Sequence, residues 1–449
     1  MSERTVNLVL DLPAELICEV LCAWLYIPDL VRLDSSYCIR KNRDIFKALY
    51  EQPEFVCSLH RCPRRFILWL LQRSIRLRNF NACAEVPEDI ALKYLVKFGK
   101  FVQSVKVSTG ASKSLVYATA KHCLHVKHLE INREISVSYE LLTAFRNIES
   151  LDLYDASYAT GSFWPTRSSD AFPHLRKLKI AWTDIESERL ASLAEMCPRL
   201  THLSLECYHI SPDQSTISVL FRLPTLIALN VNGLDVDDSN LALIVKGCPL
   251  IEHLDLSYYN QITDDGLFTV ATQLPLKSIC LSNANQITDK SLKHLRHCIK
   301  TLRHLHISQS VGFVNKTNKL TLYAIQSLLS QIPKCTYTWR ARVLAHDCDL
   351  CACSNATTIV VSTVLTDALL IEIAQNCTCL ESLNIYLASV ETEQYTSAGL
   401  YAVINSCASL KTIVVDEKFD KLRFADVLTS HRMLFTSSPI HAYDVMEFA

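Results

Sequence analysis

Glycine is scarce, at eight residues in 449. Phosphate-cradling loops and dinucleotide-binding turns need clustered glycines, and the chain has neither a P-loop nor a Gly-rich turn of that kind. His-Glu-x-x-His and Gly-x-Ser-x-Gly are absent too, so no motif points to metallohydrolase or serine-hydrolase chemistry. Long apolar runs are also lacking. One of the longest, Phe66 to Leu71, has six residues, against roughly 18 for a membrane span, so no membrane partner is expected. An excess of charge of either sign is missing as well. Lys plus Arg number 45 against 46 Asp plus Glu, a net charge of -1, which gives no global attraction for nucleic acid. The first twelve residues carry Glu3 and Asp11 and no apolar stretch of signal-peptide length; a cytoplasmic or nuclear location is expected.

What is present is apolar material: 49% of residues are hydrophobic and 20% charged, the balance of a folded chain with a large core. Nineteen cysteines would suggest a disulfide scaffold in a short secreted chain. Spread along a long one with no export signal, they read as reduced thiols.

The pattern apolar-x-x-apolar-x-apolar recurs, with clear copies beginning at Ile148, Leu175, Leu200, Leu226, Ile251 and Leu380. Val102, Val126, Leu276, Leu302 and Leu410 begin others, and weaker copies fit at Ile332 (with Cys335 and Tyr337) and Ala356. Thirteen copies at a mean spacing of about 26 residues fall within the range of leucine-rich repeats. Each apolar-x-apolar piece reads as a strand, and segments such as 263–273, 289–297 and 366–376 read as helices. Thr263, Thr288 and Thr366, each followed by Asp, are placed as N-caps, with the acid favouring the positive helix end. One such unit cannot bury its own apolar face, so neighbours must stack.

Cys123, Cys197, Cys248, Cys353, Cys377 and Cys407 each stand three residues before the first apolar position, and Cys298 four before it. A small apolar side chain in a tight junction suits free cysteine, so these are expected in the core and not as nucleophiles. The spacing, with segments such as Cys248-Pro-Leu-Ile-Glu-His-Leu-Asp-Leu and Gln261-Ile-Thr-Asp-Asp-Gly-Leu267, resembles the cysteine-containing leucine-rich repeats. The fold class expected is therefore an α/β leucine-rich-repeat solenoid, a horseshoe, over residues 99–416, with a C-terminal cap and tail at 417–449.

Ahead of the repeats, Pro13 can open a helix and Glu15 suits its first turn, while Leu16, Val20 and Leu21 recur at helical spacing. Pro28 and Asp29 restart a second helix. So small a helical unit has little core of its own, which suits its stripe to docking on a partner helix. Leu12-Pro13-Ala14-Glu15-Leu16, Val20-Leu21, Asp29-Leu30-Val31-Arg32 and Cys38 with Arg40 resemble an F-box. An extra residue stands between Leu21 and Asp29, another between Asp29 and Cys38, and shortly after Cys38 Lys41-Asn42-Arg43 stands in place of a Trp. Residues 1–60 are taken as this module and 61–98 as linker and N-terminal cap. A plain hydrophobic cap for the first repeat is the alternative.

The resemblance implies a non-catalytic substrate receptor of a cullin-RING (SCF-type) ubiquitin ligase. The F-box would hold a Skp-type adaptor through Leu12, Pro13, Leu16, Val20, Leu21, Leu25, Leu30 and Leu33, and the repeats would hold the protein substrate. The alternative is a stand-alone interaction scaffold. Strand positions between the apolar ones supply candidate substrate contacts: a file of His128, His202, His253 and His304, with His306 on the same face, and Asp152 and Tyr154. Phe163 and Trp164 in a Ser-rich insertion add possible aromatic anchors. Asp152, His128 and Tyr154 are the nearest approach to an acid, base and nucleophile, although polar side chains are expected on such a face. Cys335, His346, Cys348, Cys351 and Cys353 have zinc-like spacing, but Cys335 and Cys353 already fill repeat positions. The remaining three cannot close a tetrahedral site, so no metal or other cofactor is expected. Arg61, Arg64, Arg65, Arg73, Arg76 and Arg78 alternate with apolar residues as in an amphipathic linker.

Overall fold

A computed structural model describes residues 18, 21–22, 27–36, 47–52, 55–57, 64–83, 87–108, 110–132, 142–154, 172–181, 193–206, 222–232, 236–257, 261–281, 286–309, 324, 327–328, 330–332, 336–341, 358–361, 366–385, 396–415 and 434–437. The chain divides into two compact units, Met1–Leu200 and Thr201–Ala449.

In the first unit the strands Asn79–Ala82, Ser104–Val107, His128–Asn132, Ser150–Tyr154 and Lys177–Ala181 pair in sequence order, all parallel. Helices Glu88–Phe98 and Lys113–His122 fill two of the crossovers. In the second unit His202–Glu206, Ala228–Asn230, His253–Asp255, Ser278–Cys280, His304–Gln309 and Thr336–Ala341 pair in the same way. A second run there joins Thr358–Val361, Ser382–Ile385, Thr412–Val415 and Leu434–Ser437. Most strands begin two residues after the first apolar position of their repeat, as the motif requires. The strands at 79–82 and 434–437 add rungs on either side of the expected 99–416 span. The copy framed on Ile332 is displaced: Tyr337 lies beside Leu305 and Trp339 beside Ile307, so the ladder register sets its frame two residues later than Cys335 and Tyr337 suggest.

The apolar positions make the core. Leu226, Leu229 and Val231 are fully buried, as are Ile251, Leu254 and Leu256, each such side chain contributing about 1.5–3 kcal/mol of burial. The junction cysteines at 123, 197, 248, 298, 377 and 407 are buried beside them. Their three-residue spacing is a single turn, in which the cysteine carbonyl accepts from the first apolar N–H: Leu200 N to Cys197 O at 3.1 Å, Leu380 N to Cys377 O at 3.1 Å, Leu410 N to Cys407 O at 2.9 Å. Three thiols also donate to a carbonyl of the preceding repeat, Cys298 Sγ to Ala271 O at 3.1 Å, Cys407 Sγ to Cys377 O at 3.3 Å and Cys248 Sγ to Leu223 O at 3.5 Å. A small side chain with a weak donor fits that niche better than a bare methyl.

The threonine caps occur where expected: Thr366 Oγ1 accepts from Leu369 N, Thr288 Oγ1 from Lys290 N and Thr263 Oγ1 from Asp265 N. The aspartates that follow do more than meet a helix dipole. Asp264 Oδ1 accepts from Thr288 N at 2.8 Å and its Oδ2 from Thr288 Oγ1 at 2.7 Å, and Ser291 Oγ donates to the same carboxylate. Asp238 holds Thr263, and Asp367 holds Thr396, in the same two-point way. Each acid thus latches the start of its own helix to the start of the next. Gly266 and Gly399 pass so close to the Asp238 and Asp367 carboxylates that a Cβ at either position would collide with them.

At the N-terminus, helix Ile27–Ser36 is joined to helix Arg64–Gln72 and the turn after it: Arg73 donates to the buried Asp34 carboxylate at 2.9 and 3.1 Å. Arg76 donates to the carbonyls of Gln52 and Glu51. Ile67 and Leu70 are buried while Leu68 is exposed, as an amphipathic helix requires. Arg61 lies outside the described residues, as do the side chains of Arg64 and Arg65.

Two outcomes are expected. Asp264→Ala removes acceptors from a charged group and lowers stability by about 2 kcal/mol. Burial alone would raise the Asp264 pKa, but hydrogen bonds from Ser291 and Thr288 outweigh it and hold the carboxyl below its ordinary value. The latch is therefore at full strength above the unfolded value of about 3.9 and is lost as pH falls through the folded one. The gap in urea midpoint between wild type and variant should shrink from pH 6 to pH 3; a constant gap would remove the latch. Burial also pushes the thiols of Cys123 and Cys197 up to about 12 and those of Cys248 and Cys298 up to about 11. Iodoacetamide at pH 8 should spare these four in folded protein while modifying the exposed Cys379, read by peptide mass mapping.

Candidate functional site: the open face of the sheet

Strand alternation puts the residues between the apolar positions on the face away from the core. In the first unit one file reads Ser104, His128, Ser150, Lys177 and the next Lys106, Glu130, Asp152, Lys179. Lys106 Nζ meets Glu130 Oε1 at 2.5 Å, and Lys179 Nζ stands 5.2 Å from the Tyr154 ring centroid. His128 is beside Ser150, one strand and two residues away from Asp152, a diagonal of roughly 7–8 Å. Tyr154 lies a further two residues along. Asp152, His128 and Tyr154 therefore do not converge on a reacting atom, and the acid–base–nucleophile reading falls on that geometry.

In the second unit the histidines occupy one file, as expected, but on alternate strands: His202, Ala228, His253, Ser278, His304. Two strand spacings, about 9.6 Å, separate successive imidazoles, too far for two of them to grip one carboxylate side by side. His202 Nδ1 is engaged with Thr201 Oγ1 at 2.8 Å. Burial against the neighbouring strands lowers the pKa values of His128, His253 and His304; Lys127 and Lys177 add to this at His128, and His304 and Lys277 at His253. Glu149 and Glu252 act in the opposite sense at His128 and His253. His128, His253 and His304 are thus neutral at pH 7.

The adjacent file, Ser204, Asn230, Asp255, Cys280, His306, holds the densest polar cluster, of which sequence reasoning had singled out His306 alone. Ser257 donates to Asp255 Oδ1 from its N–H at 2.9 Å and its hydroxyl at 2.5 Å, and Ser257 Oγ lies 2.9 Å from Cys280 Sγ. Burial raises the Asp255 carboxyl above its usual range, partly offset by the Ser257 bonds. Ser204 and Asn230 both donate to Glu206 Oε1. The signal was available in the sequence: these are the residues two places beyond the histidine file. Their hydrogen bonds tie side chains within and between neighbouring strands, making a rigid polar surface with the neutral imidazoles of His253 and His304 beside it.

Two of the expected adaptor contacts are corrected. Leu21 and Leu30 are 3% and 0% exposed within the chain itself; the helix bearing Leu30 is drawn onto the following helix and turn through Asp34 and Arg73. Leu33 on the same helix is half-buried. Leu12, Pro13, Leu16, Val20 and Leu25 lie outside the described residues, as do Phe163, Trp164, Cys335, His346, Cys348, Cys351 and Cys353. Among the described residues there is no cluster of three metal-ligating side chains, and no helix long and apolar enough to cross a membrane.

A parallel sheet with one short strand per repeat, apolar positions inward and a polar open face, defines a leucine-rich-repeat protein. A sequence profile described as FBD-associated F-box protein At5g56370, LRR repeats, matches residues 119–219. F-box/LRR-repeat protein 4 of Bos taurus is 30% identical over 129 residues, 27% of this chain and 20% of that protein. F-box protein At4g02760 of Arabidopsis thaliana is 25% identical over 238 residues, 47% of this chain and 44% of that protein. Lysine-specific demethylase 2B of Mus musculus is 33% identical over 82 residues, covering 17% and 6%. The chain spans less than half the length of each of these relatives. Among solved structures, one of a yeast Rad7 and Elc1 complex aligns with a TM-score of 0.48 at 16% identity, covering 86% of this chain and 89% of that one. Within the leucine-rich-repeat class, the repeat profile and these relatives make the chain similar to F-box/leucine-rich-repeat proteins.

Since His253 and His304 have lowered values, their imidazole resonances should titrate with midpoints below 6.5 in an NMR pH series. The unfolded chain then takes up protons first, so each of the two contributes stability that declines as pH falls from 6.5 to its folded value. A midpoint above 7 at either residue would contradict the environment described.

Proposed function

We propose that the chain is the substrate-recognition subunit of a cullin-RING, SCF-type ubiquitin ligase, itself non-catalytic. The N-terminal module takes a Skp-type adaptor, with contacts from Leu12, Pro13, Leu16, Val20, Leu25 and Leu33. The open face of the repeats takes the protein to be modified. Its contribution is proximity, bringing a substrate lysine near a ubiquitin-charged enzyme supplied by other subunits. The observation that carries this reading is the order of the chain: an F-box-like segment directly ahead of repeats whose profile and relatives bear F-box names.

A second reading, a scaffold whose N-terminal helices only cap the repeats, is favoured by the Asp34–Arg73 pair and by the 4.0 Å approach of Cys22 to Cys57. The two differ in one measurable respect. The full chain should co-purify with a Skp-type adaptor in equal amounts, and Leu12→Asp with Leu16→Asp should abolish the complex while circular dichroism stays unchanged. Folded wild-type protein that takes no adaptor would leave the scaffold reading.

A further inference from the structure

Two cysteines of the N-terminal region lie sulfur to sulfur. Cys22 Sγ and Cys57 Sγ are 4.0 Å apart across a separation of 35 residues in the chain. Cys57 is buried in the short strand Val56–Cys57, whereas Cys22 is half-buried. That strand is built onto the start of the repeats: it pairs in parallel with Arg76–Leu77, Arg78 N donates to Cys57 O at 2.8 Å, and Arg78 O accepts from Gln103 N at 2.8 Å and Ser104 N at 3.0 Å. The ladder therefore fixes the backbone of Cys57, and Cys22 is the member of the pair that solvent reaches.

The surroundings of this pair differ from those of the junction cysteines. Cys248, Cys298 and Cys407 each direct the thiol at a backbone carbonyl, a partner that favours S–H over thiolate. Cys22 instead faces groups that favour its thiolate. The Cys57 S–H, helped by the Val56 backbone N–H and the Arg78 guanidinium, holds the Cys22 thiol below its ordinary value against the opposing effect of burial. Cys57 moves the other way: its hydrogen bond to Cys22, burial and the neighbouring Cys18 push its thiol up. The proton of the pair thus resides on Cys57 and the charge on Cys22, which is the division between a nucleophilic and a resolving thiol. Plain packing of two small apolar side chains would need neither the partly open position of Cys22 nor the cation beside it.

We propose that Cys22 and Cys57 form a reversible oxidation site whose co-substrate is a hydroperoxide. The Cys22 thiolate attacks the terminal oxygen: an S–O bond forms, the O–O bond breaks, and the departing oxygen takes a proton from solvent and leaves as water or an alcohol. Cys57 Sγ then attacks Cys22 Sγ, the S–S bond forms, and the hydroxyl leaves with the Cys57 proton as water. Loss of the Cys22 charge in the first step removes the foremost cause that held the Cys57 thiol up, so the first step activates the second. Two thiols are oxidised to one disulfide while the peroxide O–O bond is reduced. The disulfide closes residues 22–57 into a loop and ties Cys22 to the strand that begins the ladder. This holds or fails whether or not the N-terminal module takes an adaptor.

The test treats the full chain with hydrogen peroxide at pH 7, blocks the remaining thiols with iodoacetamide and maps peptides by mass without reduction. A peptide joined through Cys22 and Cys57 should appear before the exposed Cys379 is oxidised, and dithiothreitol should remove it. In Cys57→Ser, dimedone present with the peroxide should label Cys22 at least tenfold more than in wild type, because the sulfenic acid has no thiol to resolve it; the wild-type map decides the matter even if this variant does not fold. In the linked chain, amides of helix Ile27–Ser36, inside the closed loop, should exchange about tenfold more slowly than in the reduced one. A link between Cys18 and Cys57, oxidation of Cys379 ahead of Cys22, Cys22 carried to sulfonate without a disulfide, or unchanged exchange in the linked chain would each overturn the assignment.

Discussion

Each repeat of this chain depends on the next one to cover its apolar face, and the rest of the structure follows from that dependence. A strand of three to six residues with a ten-residue helix behind it exposes Leu, Ile and Val on the sides that meet its neighbours, and it has no independent core. Stacking buries those side chains and brings the parallel ladder into register. The register then lines up every chemically interesting residue in files. The aspartate latches act at the one boundary the apolar contacts leave loose, the helix starts. There a carboxylate satisfies two donors of the following repeat at once, and at Asp238 and Asp367 a glycine beside it leaves it room.

The same stacking raises the pKa values of the junction thiols. A junction cysteine closes the turn from helix to strand through its carbonyl and, at three positions, donates its S–H to the preceding repeat. The desolvation that makes it a good wedge is also what raises its pKa. On the open face the effect runs differently. Imidazoles flanked by neighbouring strands lose protons more readily than in water, which keeps His128, His253 and His304 neutral at pH 7. Permanent cations in the first unit stand both on strand positions, at Lys106, Lys177 and Lys179, and at the helix-to-strand turns.

For a leucine-rich-repeat protein this arrangement separates two tasks. Long-range order comes from apolar contacts and latches that are alike from repeat to repeat. Recognition is left to positions that the ladder does not constrain, and so these can differ between repeats without cost to the fold. That division is why repeat proteins present varied surfaces on a uniform frame.

By itself the sequence determined the repeat, its strands, its helix caps and the buried fate of its cysteines, because these are local and periodic: a side chain's place in the motif dictates its face. Leu203, Leu229 and Leu254 could be assigned to the core from spacing alone. What only the tertiary structure decided depends on relations between repeats, which spacing does not encode. The frame of the strand at Thr336–Ala341 was settled by its ladder partner. The reach of Asp264 to Thr288 requires two helix starts side by side. Leu30 proved to be interior where Asp34 and Arg73 draw its helix onto the next one, and Leu21 is buried as well. His253 and His304 proved to be two strands apart because Ser278 stands between them.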